Sequence, residues 1–316
     1  FWDGLDNCPE TSNPTQTDSN ADGVGDACAI DSDGDGVDAS LDCDDQNPDL
    51  LAIATDGDCD GVLTGADAEW VTHGVGQVSE AQDPHSVVVV DVDDDGDMDF
   101  LSTSRVDDKI VWYENDGEQS FTIHTITTDA EGALSVFAAD MDGDGDIDVL
   151  SASGDDNRIA WYENDGEQSF TTHTIATDAE AAWSVFAADI DGDGHIDVLS
   201  GSVDDDKVAW YENDGEQNFT AHIIATDVNQ AHSVFAADVD GNGHMDVLAV
   251  ARLGHKIIWF ENDGDQNFTE HVISENVDSP RKVYATDLDG DGDMDVLSAS
   301  YNDDKIAWYE NDGSQN

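Results

Sequence analysis

A segment of the form Asp-x-Asp-x-Asp/Asn-Gly-x-x-Asp begins at Asp91, Asp140, Asp189, Asp238 and Asp287, a constant spacing of 49 residues with no insertion. Such constancy means five near-identical units, and the internal repeat decides the architecture. In the second unit Ser135 to Ala139 reads as a short strand, the acidic loop Asp140 to Asp148 follows, and Val149 to Ser153 is a second strand. Asp155, Asp156 and Asn157 turn the chain into a third strand, Arg158 to Glu163. The Asn164-Asp165-Gly166 hairpin, whose residues tolerate positive φ, leads to a fourth, Phe170 to Ile175. Four short antiparallel strands per repeat is the pattern of a propeller blade, and no stretch carries the 3.6-residue apolar period of a helical solenoid. The expected fold is all-β: a five-bladed β-propeller of 49-residue four-stranded blades over residues 69–316.

The last unit stops after its third strand, where a Phe-Thr-x-His strand is due. Trp70-Val71-Thr72-His73 matches Phe121-Thr122-Ile123-His124 and precedes the first complete unit. The expectation is that this strand, near residues 70–75, completes the last blade and closes the ring, removing two open edges. The alternative is a piece of a longer ring.

The acidic loops carry the chemistry. Positions 1, 3, 5, 7 and 9 are Asp91, Asp93, Asp95, Asp97 and Asp99 in the first unit, and Asp140, Asp142, Asp144, Asp146 and Asp148 in the second. They are Asp189, Asp191, Asp193, His195 and Asp197 in the third, Asp238, Asp240, Asn242, His244 and Asp246 in the fourth, and Asp287, Asp289, Asp291, Asp293 and Asp295 in the fifth. Alternation aims side chains 1, 3, 5 and 9 at one centre, Gly at position 6 permits the turn, and position 7 offers its carbonyl. An all-oxygen set in a flexible loop selects calcium, one ion per blade. His195 and His244 therefore imply no transition-metal site, and Asn242 is expected to weaken the fourth loop.

Composition agrees. There are 75 acidic residues against 9 basic, a net charge of -66, yet 38% of the chain is hydrophobic, with 8 Trp, 10 Phe and 6 Tyr, which excludes plain disorder. So negative a field repels nucleic acid and anionic membranes, and the absence of a long apolar run argues against a transmembrane helix. Residues 1–68 hold three further loops: Asp18, Asn20, Asp22 and Asp26; Asp31, Asp33, Asp35 and Asp42; and Asp56, Asp58, Asp60 and Asp67. Two or three of these are expected to bind calcium in an irregular segment. All four cysteines lie there. Of three pairings, Cys8 with Cys28 and Cys43 with Cys59 are the sequence-local ones, and disulfides imply an oxidising, extracellular compartment.

The acidic loops, followed by motifs such as Lys305-Ile306-Ala307-Trp308-Tyr309-Glu310-Asn311-Asp312-Gly313, resemble the FG-GAP or VCBS-type repeats of secreted bacterial proteins and, more distantly, the blades of integrin α-subunits. Asp6-Asn7-Cys8-Pro9 and Asp22-Gly23-Val24-Gly25-Asp26-Ala27-Cys28 resemble thrombospondin type 3 repeats. Those families imply extracellular adhesion, cell-surface or matrix roles without fixing one ligand.

His124, His173, His222 and His271 recur once per blade, so they read as structural. The Trp112/Tyr113, Trp161/Tyr162, Trp210/Tyr211, Trp259/Phe260 and Trp308/Tyr309 pairs read as blade-to-blade core, with sugar platforms as the rival. Asn218 and Asn267 match the N-glycosylation sequon. No nucleophile, phosphate-loop or zinc signature is present, so no enzyme is expected. The expected role is a secreted or cell-surface calcium-binding structural or adhesion protein of bacterial type, self-associating through its N-terminal segment into a filament, with glycans or surface proteins as further partners. Alternatives are a lectin-like propeller and a polysaccharide-cleaving enzyme.

Overall fold

The computed structural model describes residues 82–118 and 120–313. The expected closing strand, the N-terminal calcium loops and all four cysteines lie outside those residues.

Among the described residues nineteen strands form five sheets, each a blade of a β-propeller. The first blade is β1 (Pro84–Val90), β2 (Asp99–Ser104), β3 (Lys109–Asn115) and β4 (Phe121–Thr127) in sequential antiparallel order. The second is β5 (Ala133–Ala139), β6 (Asp148–Ser153), β7 (Arg158–Asn164) and β8 (Phe170–Ala176). The third and fourth repeat it as β9 (Ala182–Ala188) to β12 (Phe219–Ala225) and β13 (Ala231–Ala237) to β16 (Phe268–Ser274). The fifth contains β17 (Pro280–Thr286), β18 (Asp295–Ser300) and β19 (Lys305–Tyr309) among the described residues. Short alternating strands with Gly-containing turns fold this way because each sheet is apolar on both faces and needs a neighbour on each.

Those neighbours supply four cores, one between each consecutive pair of blades. Leu150, Ile159 and Trp161 of the second blade meet Val185, Ala187, Val198, Ala209 and Tyr211 of the third. The same positions repeat between the first and second, third and fourth, and fourth and fifth blades. Trp112, Trp161 and Trp210 are fully buried, so the Trp-Tyr positions are blade-to-blade core there. The two end faces differ. Val87 on the first blade is 66% exposed where Val136, Val185, Val234 and Val283 are buried, and Ile306 and Trp308 on the fifth are 77% and 45% exposed. Among the described residues no such core joins the fifth blade to the first.

Strand direction sorts the chemistry. Each innermost strand (β1, β5, β9, β13, β17) runs into an acidic loop, so all five loops lie at one end of the propeller. All nine basic residues, including Arg105, Arg252, Arg281 and Lys282, sit at strand starts or in turns at the opposite end.

Candidate metal centres

In the second blade Asp140, Asp142 and Asp148 each present a carboxylate oxygen within 4.8 Å of the others. The equivalent triads are Asp91, Asp93 and Asp99; Asp189, Asp191 and Asp197; and Asp238, Asp240 and Asp246. In the fifth blade the triad is Asp287, Asp289 and Asp291, all exposed. Position 9 is the buried member in the first four blades, and in the fifth Asp295 is buried but outside the triad.

Backbone donors hold the oxygens in place. Asp140 Oδ2 accepts the N–H of Gly145 at 3.1 Å, and Asp144 Oδ1 accepts that of Asp146 at 2.9 Å. Asp148 is the hub: Met141 N–H donates to its Oδ2 at 2.9 Å, and Asn164 N–H donates to its Oδ1 at 2.7 Å. In the first blade the Trp112 indole adds a third donor to Asp99, at 2.8 Å. Position 9 thus ties the acidic loop to the end of the third strand. Burial pushes the carboxyls of Asp148 and Asp197 up to about 7 and that of Asp246 up to about 6. Burial and the Asp144 carboxylate raise Asp142; Asp93 is raised by burial and Asp95. These are groups that a cation would stabilise in charged form.

The residues fit a hard cation. Buried Asp91 Oδ1, Asp93 Oδ1 and Asp238 Oδ1 have no hydrogen-bond partner, which is unfavourable for carboxylate oxygens and is relieved by an ion. Carboxylate oxygens within 4.8 Å of one another can reach a single hard cation between them.

The position-7 side chains lie elsewhere. Asp146 packs against Gly166 of the Asn-Asp-Gly hairpin, and His195 packs against Gly215, where an added Cβ would run into the ring. His244 meets Gly264 in the same way. The Asp97 and Asp293 side chains do likewise at Gly117 and Gly313. Sequence reading assigned this hairpin glycine to backbone φ alone; it also makes room for the loop.

The first four loops are also each clasped by the following blade. Asn213 Nδ2 donates to the Met141 carbonyl at 2.9 Å, and Gln217 Nε2 donates to Asp142 Oδ2 at 3.2 Å. Asn164, Asn262 and Asn311 make the matching bond to Val92, Ile190 and Val239.

The repeated histidines are structural. His173 Nε2 lies 2.7 Å from Glu163 Oε2 and its ring stacks on Trp161 at 4.5 Å, an arrangement shared by His124, His222 and His271. Asn218 and Asn267 are exposed in the hairpins, where their side-chain amides donate to Asp214 and Asp263 at 2.9 Å. Sequence reading missed the second residue of each innermost strand: His85, Leu134, Trp183, His232 and Arg281. The available signal was its failure to repeat.

Fold and loops together define a propeller whose blades each carry an acidic cation loop. The FG-GAP-like repeat family matches residues 91–151, 140–200, 191–249 and 248–298, and the chain belongs to that family. No curated protein matches it in sequence. Solved structures of similar fold include an Agrocybe aegerita lectin described by its recognition of non-reducing terminal N-acetylglucosamine: 23% identity, TM-score 0.51, 73% of this chain and 67% of that one covered. The biofilm matrix protein Bap1 of V. cholerae is 18% identical, with a TM-score of 0.45, over 72% of this chain and 37% of that one. A functionally unknown protein from Desulfotomaculum acetoxidans is 14% identical, with a TM-score of 0.48, over 72% and 69%.

Proposed function

We propose that the protein is a non-enzymatic extracellular scaffold or adhesion protein whose propeller is held together by calcium, one ion per blade. The observation that carries this reading is the repeated coupling of an acidic triad to the next blade through Asn and Gln donors. Chemistry copied into every blade is what fastening requires, whereas a catalytic constellation uses unlike groups. The N-terminal acidic loops and cysteines, which suit millimolar calcium and an oxidising milieu, support an extracellular location. Residues 1–68 bind two or three further ions and link copies of the chain into a filament.

Particle sizing of the full chain at millimolar calcium, with and without residues 1–68, tests the assembly. Calcium-dependent oligomers that disappear on truncation support it; a monomer at high concentration refutes it. A glycan-binding role resting on the repeated Trp-Tyr platforms has little support, because four of the five Trp residues are buried between blades.

A further inference from the structure

At the end of the propeller away from the metal loops, the second residue of each innermost strand departs from the repeat: His85, Leu134, Trp183, His232 and Arg281. The side chains of His85, Trp183, His232 and Arg281 meet in that order. His85 Nδ1 bonds the Leu134 carbonyl at 3.0 Å, and its ring stands edge-on to Trp183 at 5.5 Å. Trp183 packs on His232 at 4.4 Å. His232 Nδ1 bonds the Arg281 carbonyl at 3.2 Å and its Nε2 accepts from Arg281 Nη1 at 3.0 Å, which requires a neutral imidazole. The Arg281 guanidinium lies 5.1 Å over the ring of Tyr301, itself 67% exposed.

The charge here has no counterpart. Arg105, Lys109, Arg158, Lys207 and Lys256 each have a carboxylate within ion-pair distance. Among the described residues Arg252, Arg281, Lys282 and Lys305 have none, in a chain with 75 acidic residues, and of these the two arginines lie together. Arg252 bonds only neutral groups, Ser279 Oγ at 3.3 Å and Gln230 Oε1 at 2.9 Å. Arg281 Nε is buried without any acceptor. Burial and neighbouring Arg252 disfavour the charge on Arg281, so folding alone leaves this pair in an unfavourable setting. The nearby acid Asp278 is engaged by His255 at 3.1 Å and by Asn302. An external anion is the missing partner.

We propose that this cluster binds a carboxylate-bearing sugar ring, the carboxylate on Arg252 and Arg281 and the C–H face of the ring on Tyr301. A planar guanidinium matches a carboxylate in two-pronged geometry, and the exposed Tyr301 ring flanks it. The metal loops at the opposite end contribute little repulsion, because exposed charges further off than about 8 Å are largely screened at physiological salt. The site stands whether or not the chain assembles into filaments.

The test is calorimetric titration of the full, calcium-loaded chain with glucuronate, glucose and acetate. Glucuronate is expected to bind at least tenfold more tightly than either of the other two. Arg281→Gln and Arg252→Gln should each weaken it at least tenfold, and Tyr301→Ala should weaken glucuronate but not acetate. Arg105→Gln, which removes a paired arginine from the same end, should leave binding unchanged. Melting temperatures and particle sizes of the arginine variants should match the parent, separating loss of the site from loss of the fold or assembly. Glucuronate that fails to bind the parent chain overturns the proposal. Equal binding to the double Arg variant, or acetate binding as tight as glucuronate, overturns it too.

Discussion

Chelating calcium should lower the melting temperature of the propeller by roughly 15–25 °C. The triad oxygens lie within 4.8 Å of one another. Two unit charges at that distance repel by about 3.5 kcal/mol at an effective dielectric near 20, so each metal-free loop stores repulsion between its carboxylates, screened at the more exposed positions 1 and 3. With calcium tenfold above its dissociation constant each ion adds about 1.4 kcal/mol, and five add about 7. In a domain of this size 1 kcal/mol moves the midpoint by about 2–4 °C. The raised carboxyls of Asp148 and Asp197, at about 7 without metal, must lose their protons when an ion binds. The chelator effect should therefore be larger at pH 8 than at pH 6. Scanning calorimetry in millimolar calcium and in excess chelator, at both pH values, reads this directly. A shift below about 3 °C at pH 8 would show that the loops are solvated acidic turns.

Trp210→Ala should cost about 3–5 kcal/mol in denaturant melts, whereas Trp308→Ala, on the exposed end face, should cost well under half of that. Gly215→Ala should destabilise by about 1–3 kcal/mol, because φ is 73° there and the new Cβ meets the His195 ring; pairing it with His195→Gly should recover only the steric part. Burial first, then Arg281, lowers His232 to about 4. As pH falls from 6.5 towards 4 the unfolded chain takes up a proton that the folded one refuses, so stability is lost, by about 3 kcal/mol at pH 4. His232→Gln should flatten that part of the pH–stability curve; an unchanged slope would contradict the buried neutral imidazole.

Blade count, strand order and the loop positions were legible because they repeat: Asp140 and Trp161 each have copies every 49 residues, and periodicity is what a single sequence displays best. The observed strands run one or two residues beyond the expected ones, as at Ala133–Ala139, where Ala133 still pairs with Ser153 across a shift in register. Position 9 reads as one ligand among several, yet Asp148 also anchors the third strand through Asn164, a role fixed by burial in three dimensions. The His85 to Arg281 cluster was illegible for the opposite reason. Its members are 49 to 196 residues apart and unlike one another, so only the propeller brings them together.

The clasp between four of the acidic loops and the blade after each gives the row of candidate metal sites a direction. Asn164, Asn213, Asn262 and Asn311 hold the first four loops from the blade after them, and among the described residues no equivalent holds the loop at Asp287. An ion leaving the third loop loosens a contact of the fourth blade before it affects the second, so occupancy should propagate as in a one-dimensional chain of coupled neighbours. The last loop is then the softest end of the series, and it is where a falling calcium concentration should first begin to undo the propeller.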